Sequence, residues 1–157
     1  MRILVISDSH RTGRVIEKIL YAQPTATHVF FLGDIASDIE DFEYIFPEKR
    51  FHILSGNCDY FSTFPSSSIE TVGGKKIFYT HGHTLGVKSS TSHLLATAKA
   101  QGCDIALFGH THTPLTLYED GVWLVNPGSC AKPREGRPTY AVIDIENNGV
   151  MPIIIEV

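Results

Sequence analysis

The chain has 157 residues, 43% hydrophobic and 19% charged, a composition that excludes a disordered, collagenous or coiled-coil protein. Thirteen Lys and Arg against seventeen Asp and Glu leave a net charge of −4, which argues against strong nucleic-acid binding through a basic face. The length predicts a single domain over residues 1–157 that needs no disulfides to hold its core, and eight histidines are the compositional peculiarity.

Ile3 to Ile6 is a continuous apolar run of the kind found in strands buried on both faces. It is too short for a signal-peptide core. No apolar stretch approaches the ~20 residues of a membrane span, so a cytoplasmic protein without membrane contact is expected. Val15, Ile16, Ile19 and Leu20 follow at near-helical spacing and predict a helix ending near Pro24. His28 to Leu32 reads as a second strand. Ile39, Phe42, Ile45 and Phe46 predict a second helix, stopped by Pro47, and Arg50 to Leu54 a third strand. This alternation implies a parallel sheet.

The second half is denser in strands. Ser68 to Val72 and Lys75 to Tyr79 flank Gly73–Gly74 as a hairpin. Ser92 to Ala100 predicts a helix and Ile105 to Phe108 a strand. Leu115 to Tyr118 and Val122 to Val125 pair around Glu119–Asp120–Gly121. Thr139 to Ile145 and Met151 to Val157 predict a closing hairpin through Asn147–Asn148–Gly149. A second sheet packed on the first is expected. Cys58, Cys103 and Cys130 form no Cys-x-x-Cys pair and fit reduced thiols.

Five short polar motifs follow predicted strands: Asp8-Ser9-His10, Gly33-Asp34, Gly56-Asn57-Cys58-Asp59, His81-Gly82-His83 and Gly109-His110-Thr111-His112. In open α/β sheets ligands bind beyond the carboxyl ends of the strands, so these motifs are expected to converge on one rim. Carboxylate with imidazole suits Mn, Fe, Zn, Co or Ni. Roughly seven N/O donors exceed what one tetrahedral zinc needs and match two ions sharing a carboxylate. Other chemistries lack their residues. There is no G-x-G spacing, no Gly-Lys-Ser/Thr loop and no G-x-S-x-G elbow. No cysteine is followed six residues later by arginine.

The ordered set D-x-H, GD, GN, H-G-H, G-H-x-H resembles the calcineurin-like metallophosphoesterase superfamily. The length, and Cys58 after Asn57, make the chain similar to its small YfcE-like phosphodiesterase branch. The likeness runs from Asp8 through Asn126-Pro127-Gly128-Ser129. It implies an α/β fold of two packed β-sheets flanked by helices, a four-layer α/β/β/α sandwich. It implies a binuclear metal centre in which Asp8, His10 and His112 hold one ion and Asn57, His81 and His110 the other, with Asp34 bridging. Mn²⁺ is the expected metal, and Ni²⁺, Fe²⁺, Co²⁺ or Zn²⁺ are alternatives. The implied activity is hydrolysis of a small phosphodiester or phosphate ester by in-line attack of a hydroxide held between the ions. Asp34, Asn57 and His83 are the residues expected at the reacting phosphate; for His83 a structural loop role is the alternative. A homo-oligomer, dimer or tetramer, is compatible with the likeness.

Cys58 departs from the pattern. Many catalytic members carry a histidine there, which helps protonate the leaving group. A thiol with an ordinary pKa near ~8.5 is a poor substitute for an imidazole near ~6.5. Lys132, Arg134 and Arg137 form a basic cluster, read either as a solvated loop or as a phosphodiester contact. The alternative function is a weakly catalytic or non-catalytic protein-binding scaffold of the same fold, similar to the small retromer subunit.

Overall fold

The computed structural model describes residues 1–147 and 149–157, and these form ten strands and three α-helices. β1 (Arg2–Ile6), α1 (Gly13–Ala22), β2 (Ala26–Phe31), α2 (Phe42–Ile45) and β3 (Arg50–Ile53) make the first part. β4 (Ser67–Val72), β5 (Lys75–Thr80), α3 (Ser92–Ala100), β6 (Ile105–Phe108), β7 (Pro114–Glu119) and β8 (Val122–Pro127) follow. β9 (Thr139–Glu146) and β10 (Gly149–Glu156) close the chain; of their predicted turn, Asn148 lies outside the described residues.

The strands form two five-stranded sheets, ordered β10-β9-β1-β2-β3 and β4-β5-β6-β8-β7. β1, β2 and β3 are parallel, as the alternation requires, and so are β5, β6 and β8. The closing hairpin does not join the second sheet. It runs antiparallel to β1, with Arg2 opposite Asp144, and the Arg2 guanidinium donates twice to that carboxylate at 2.8 Å. Gly73 and Gly74, at φ +59° and +77°, make the tight turn between β4 and β5.

Strand periodicity explains the layers. In β1, Ile3 and Val5 face the second sheet, where they meet Ile77, Ile105, Leu107 and Val125. Leu4 and Ile6 point the other way, onto Ile16, Ile19 and Leu20 of α1. On the far side of the second sheet, Phe78, Ala106 and Leu124 pack on Leu94 and Ala98 of α3. Three apolar layers therefore separate helix, sheet, sheet and helix. Each fully buried aliphatic side chain contributes ~1.5–3 kcal/mol over exposure. An exposed ion pair contributes at most about 1 kcal/mol, so packing dominates and Arg2–Asp144 chiefly sets register.

The second predicted helix is shorter than its apolar stripe. Ala36–Asp38 is a short 3-10 turn, and α2 spans a single turn before Phe46 and Pro47. The residues ahead of it serve a loop instead: Asp38 accepts bonds from Ser9 Oγ at 2.6 Å and the Thr12 N–H at 3.1 Å. Among the described residues no helix is long and apolar enough to cross a membrane.

Candidate metal centre

β1, β2 and β3 of one sheet and β5 and β6 of the other deliver the five polar motifs to one rim, as expected of strand ends in such sheets. His10 Nε2 lies 3.1 Å from His112 Nε2 and 3.8 Å from Asp34 Oδ2. His112 Nε2 lies 3.1 Å from Asp8 Oδ1. Ligand-type atoms of these four residues all fall within 4.8 Å of one another. Two imidazole nitrogens bound ~2.1 Å from one ion at right angles would stand about 3.0 Å apart, so the histidine pair has chelate spacing.

A second group adjoins the first. His81 Nε2 is 3.1 Å from Asn57 Oδ1 and 3.5 Å from Asp34 Oδ1, and the His110 ring centre is 5.0 Å from that of His81. Asp34 thus turns Oδ2 to one group and Oδ1 to the other. His83 flanks the second group, its ring centre 5.4 Å from His81 and 6.1 Å from His110. These distances bring all seven candidate ligands and His83 to the same rim.

Hydrogen bonds at the back of the rings aim their nitrogens inward. His81 Nδ1 donates to the Leu32 carbonyl at 2.8 Å, and His112 Nδ1 to the Lys132 carbonyl at 2.6 Å. Each bond places the ring proton on Nδ1 and leaves Nε2 with a free lone pair, the tautomer a metal requires. Asp8 Oδ1 is buried and has no hydrogen-bond partner, although His112 Nε2 is 3.1 Å away. An orphaned carboxylate oxygen beside a lone-pair nitrogen fits a site that takes a cation.

The electrostatics agree. The Asp8 carboxylate, 3.1 Å from His112 Nε2, raises the His112 pKa, so this spot draws positive charge. Burial is the largest influence on Asp8 and pushes its pKa up, but His112, His81 and Ser7 together outweigh it and hold the carboxyl low. Burial lowers His10, and it lowers His110 to about 4, so both rings are neutral donors at pH 7. Burial raises the Cys58 thiol to about 11, with Asp34 adding to the shift. A thiol so weakly acidic supplies neither a thiolate nor an efficient proton donor.

The loops are strained where they carry the candidate ligands. Asp8, His10, Asp34, His110 and His112 all have positive φ, between 45° and 66°, and neighbouring Arg11 and Ile35 reach 70° and 80°. Such conformations cost on the order of 1–3 kcal/mol each and persist only where surrounding contacts enforce them. Those contacts are specific. Asp59 accepts the N–H groups of Asp34, Ile35, Ala36 and Gly56 at 2.7–3.0 Å. Ser129 Oγ donates to the Asp8 carbonyl, and Asn126 holds Gly109 O and Thr111 Oγ1. A Cβ at Gly56 would collide with the Asp34 carboxylate, so only glycine lets the two loops approach.

The supporting roles of Asp38, Asp59, Asn126 and Ser129 were not read from the sequence. Asp59, Asn126 and Ser129 stand inside motifs that are visible there, but side-chain bonds to backbone across loops leave no spacing signal. The basic cluster divides. Lys132 and Arg134 belong to the loop that holds His112, whereas Arg137 pairs with Glu156 at an exposed 3.1 Å. Replacing Asp59 by Ala is expected to release the Asp34 loop. Metal affinity should fall about 10–100-fold, as for other residues that orient ligands. Titration of Mn²⁺ by calorimetry, with circular dichroism to confirm folding, measures it; unchanged affinity in a folded variant defeats the assignment.

Comparison with known proteins agrees with this fold. The family model of the calcineurin-like phosphoesterase superfamily domain matches residues 1–148. The probable metallophosphoesterase YsnB of Bacillus subtilis is 31% identical over 94% of this chain and 86% of its own length. Vacuolar protein sorting-associated protein 29 of Schizosaccharomyces pombe is 28% identical over 99% of this chain and 83% of its own. Among solved structures, a conserved Streptococcus pneumoniae protein described as a predicted phosphoesterase superposes with a TM-score of 0.85. It is 26% identical and covers 99% of this chain and 88% of its own.

Proposed function

The chain belongs to the calcineurin-like phosphoesterase superfamily, and from that premise we propose that it is a phosphodiesterase with a binuclear divalent-metal centre in a single domain of residues 1–157. The observation that carries this reading is Asp34, whose two oxygens face two separate donor groups. Asp8, His10 and His112 would hold one ion, Asn57, His81 and His110 the other, and Asp34 both. Two divalent ions held there would supply water of lowered pKa as a nucleophile and positive charge for the phosphoryl oxygens of an ester.

The chain's own residues prepare that chemistry. Asp8 and Asp34 supply the only negative charges among the seven donors. Asn57 and the four imidazoles add no negative charge, so the loaded site would keep net positive charge for an anionic ester. The carbonyls of Leu32 and Lys132 fix the orientation of His81 and His112. His83, beside His81 and His110, would meet a phosphate oxygen. Mn²⁺, a small phosphate-ester substrate and a cytoplasmic location complete the reading.

Stoichiometry tests it. Elemental analysis after Mn²⁺ loading and desalting is expected to give two ions per chain, with turnover of a chromogenic phosphodiester that follows the second. A reproducible single ion under saturating metal would remove the binuclear reading. A second reading, a protein-binding scaffold, is favoured by the likeness to the vacuolar sorting protein. The complete donor set argues for the enzyme, and a metal-loaded protein without any phosphodiester turnover would reverse that preference.

A further inference from the structure

A hollow of about 430 Å³ opens beside the donor groups. Its walls include the chain neighbours of three candidate ligands: Arg11 follows His10, Ile35 follows Asp34, and Cys58 follows Asn57. Cys58 Sγ is 3.5 Å from Asn57 Nδ2, so the hollow and the candidate centre share a wall. Tyr60 and Phe61 close one side.

Among the described residues neither ring belongs to an apolar cluster of the core. They occupy the tip of a tight turn, in which the Ser62 N–H donates to the Asp59 carbonyl at 3.2 Å. Turn tips favour Gly, Pro, Asn, Asp and Ser, each for a backbone reason. Here Tyr60 is 84% and Phe61 100% exposed, so both leave their apolar faces in water. The turn is nonetheless tied to the candidate centre. Asp59, its first residue, is the carboxylate that accepts the Asp34 and Ile35 N–H groups. Ile35 is itself a β-branched residue at φ 80° and ψ 69°, an outlier that such bonding maintains.

We propose that this hollow binds the non-phosphate part of the substrate and takes a planar aromatic group, which makes a nucleotide phosphodiester the substrate class. A base laid on Tyr60 or Phe61 covers apolar surface that is now wet, and stacking of this kind tolerates any base. Arg11 and Glu40 also line the hollow and supply a cation for an anionic ester and an acceptor for hydroxyl or amino hydrogens. Placement of the phosphate at the donor groups rests on the phosphoesterase reading above; the aromatic subsite rests on the turn and the hollow.

The test holds the leaving group constant. Full-length, Mn²⁺-loaded protein is given thymidine 5′-(p-nitrophenyl phosphate) and methyl p-nitrophenyl phosphate. The thymidine ester is expected to have the higher kcat/KM by roughly tenfold to a hundredfold, the range one stacked base supplies. In the double variant Tyr60→Ala, Phe61→Ala the preference should collapse through a rise in KM for the thymidine ester. An equal loss on both esters, or none, overturns the subsite. Calorimetric binding of thymidine 5′-monophosphate against inorganic phosphate gives a second arm without turnover. Tighter nucleotide binding that the double variant loses, in a protein that hydrolyses neither ester, would keep the subsite and overturn the phosphodiesterase reading. Equal binding of the two by the wild-type chain overturns the subsite.

Discussion

Asp34→Asn is expected to weaken metal binding at both donor groups and to lower phosphodiester turnover by more than ~100-fold. The reason is positional. Residues that merely orient a ligand cost about 10–100-fold when removed, and Asp34 faces both groups directly, at 3.8 Å from His10 Nε2 and 3.5 Å from His81 Nε2. Asparagine keeps the shape, and its carbonyl oxygen can still accept the Cys58 N–H that Oδ1 now holds at 2.9 Å. What it removes is the charge and the second oxygen donor, so folding should survive while both affinities fall. His112→Ala gives the contrast: His112 touches the group of Asp8 and His10 only, and its loss should first affect one ion of two. Two-site Mn²⁺ titrations and steady-state rates on both variants measure this. Near-wild-type turnover with two tightly held ions in Asp34→Asn would defeat the bridging role.

The second large effect concerns the leaving group. With Cys58 raised to about 11 by burial and the neighbouring Asp34, no efficient acid stands at the position where a histidine is usual in the family. The departing oxygen must then leave with much of its negative charge. A general acid contributes ~10²–10⁴-fold. That deficit should appear in full with alkyl leaving groups and nearly vanish with p-nitrophenol. Turnover should therefore fall steeply as leaving-group pKa rises. Cys58→His, with the imidazole in the right pose, should speed alkyl esters and leave aryl esters nearly unchanged. A series of aryl and alkyl phosphodiesters against both proteins makes the measurement. A flat dependence in the wild-type chain, with chemistry rate-limiting, would mean that another group delivers the proton, and His83 is the first candidate by position.

Local pattern carried most of the fold. The ten strands, α1 and α3 were readable because each apolar run has its own period and its own stop signals. The second helix is shorter than its spacing predicts, since Ile39 to Phe46 has helical periodicity but the segment before α2 bends to serve the Ser9 and Thr12 loop through Asp38. Periodicity reports burial, and burial alone does not require a helix. The candidate donors were legible for a similar reason: five motifs of the right residue types each follow a strand, and parallel strands must end together.

The sequence by itself determined which residues could bind a metal, the order in which they arrive, and the parallel core that brings them to one edge. Three things were decided only by tertiary structure. Pairing of β9 with β1 brings together opposite ends of the chain, Arg2 opposite Asp144, and such distant pairings leave no local trace. The support of the strained loops by Asp59, Asn126 and Ser129 depends on which backbone N–H and C=O groups lie within 3 Å or so once the loops have met. The hollow beside Cys58 lies between the Tyr60–Phe61 turn and the Asp34 loop, which Asp59 ties together. Composition and spacing describe neighbours along the chain; these features are made by neighbours in space.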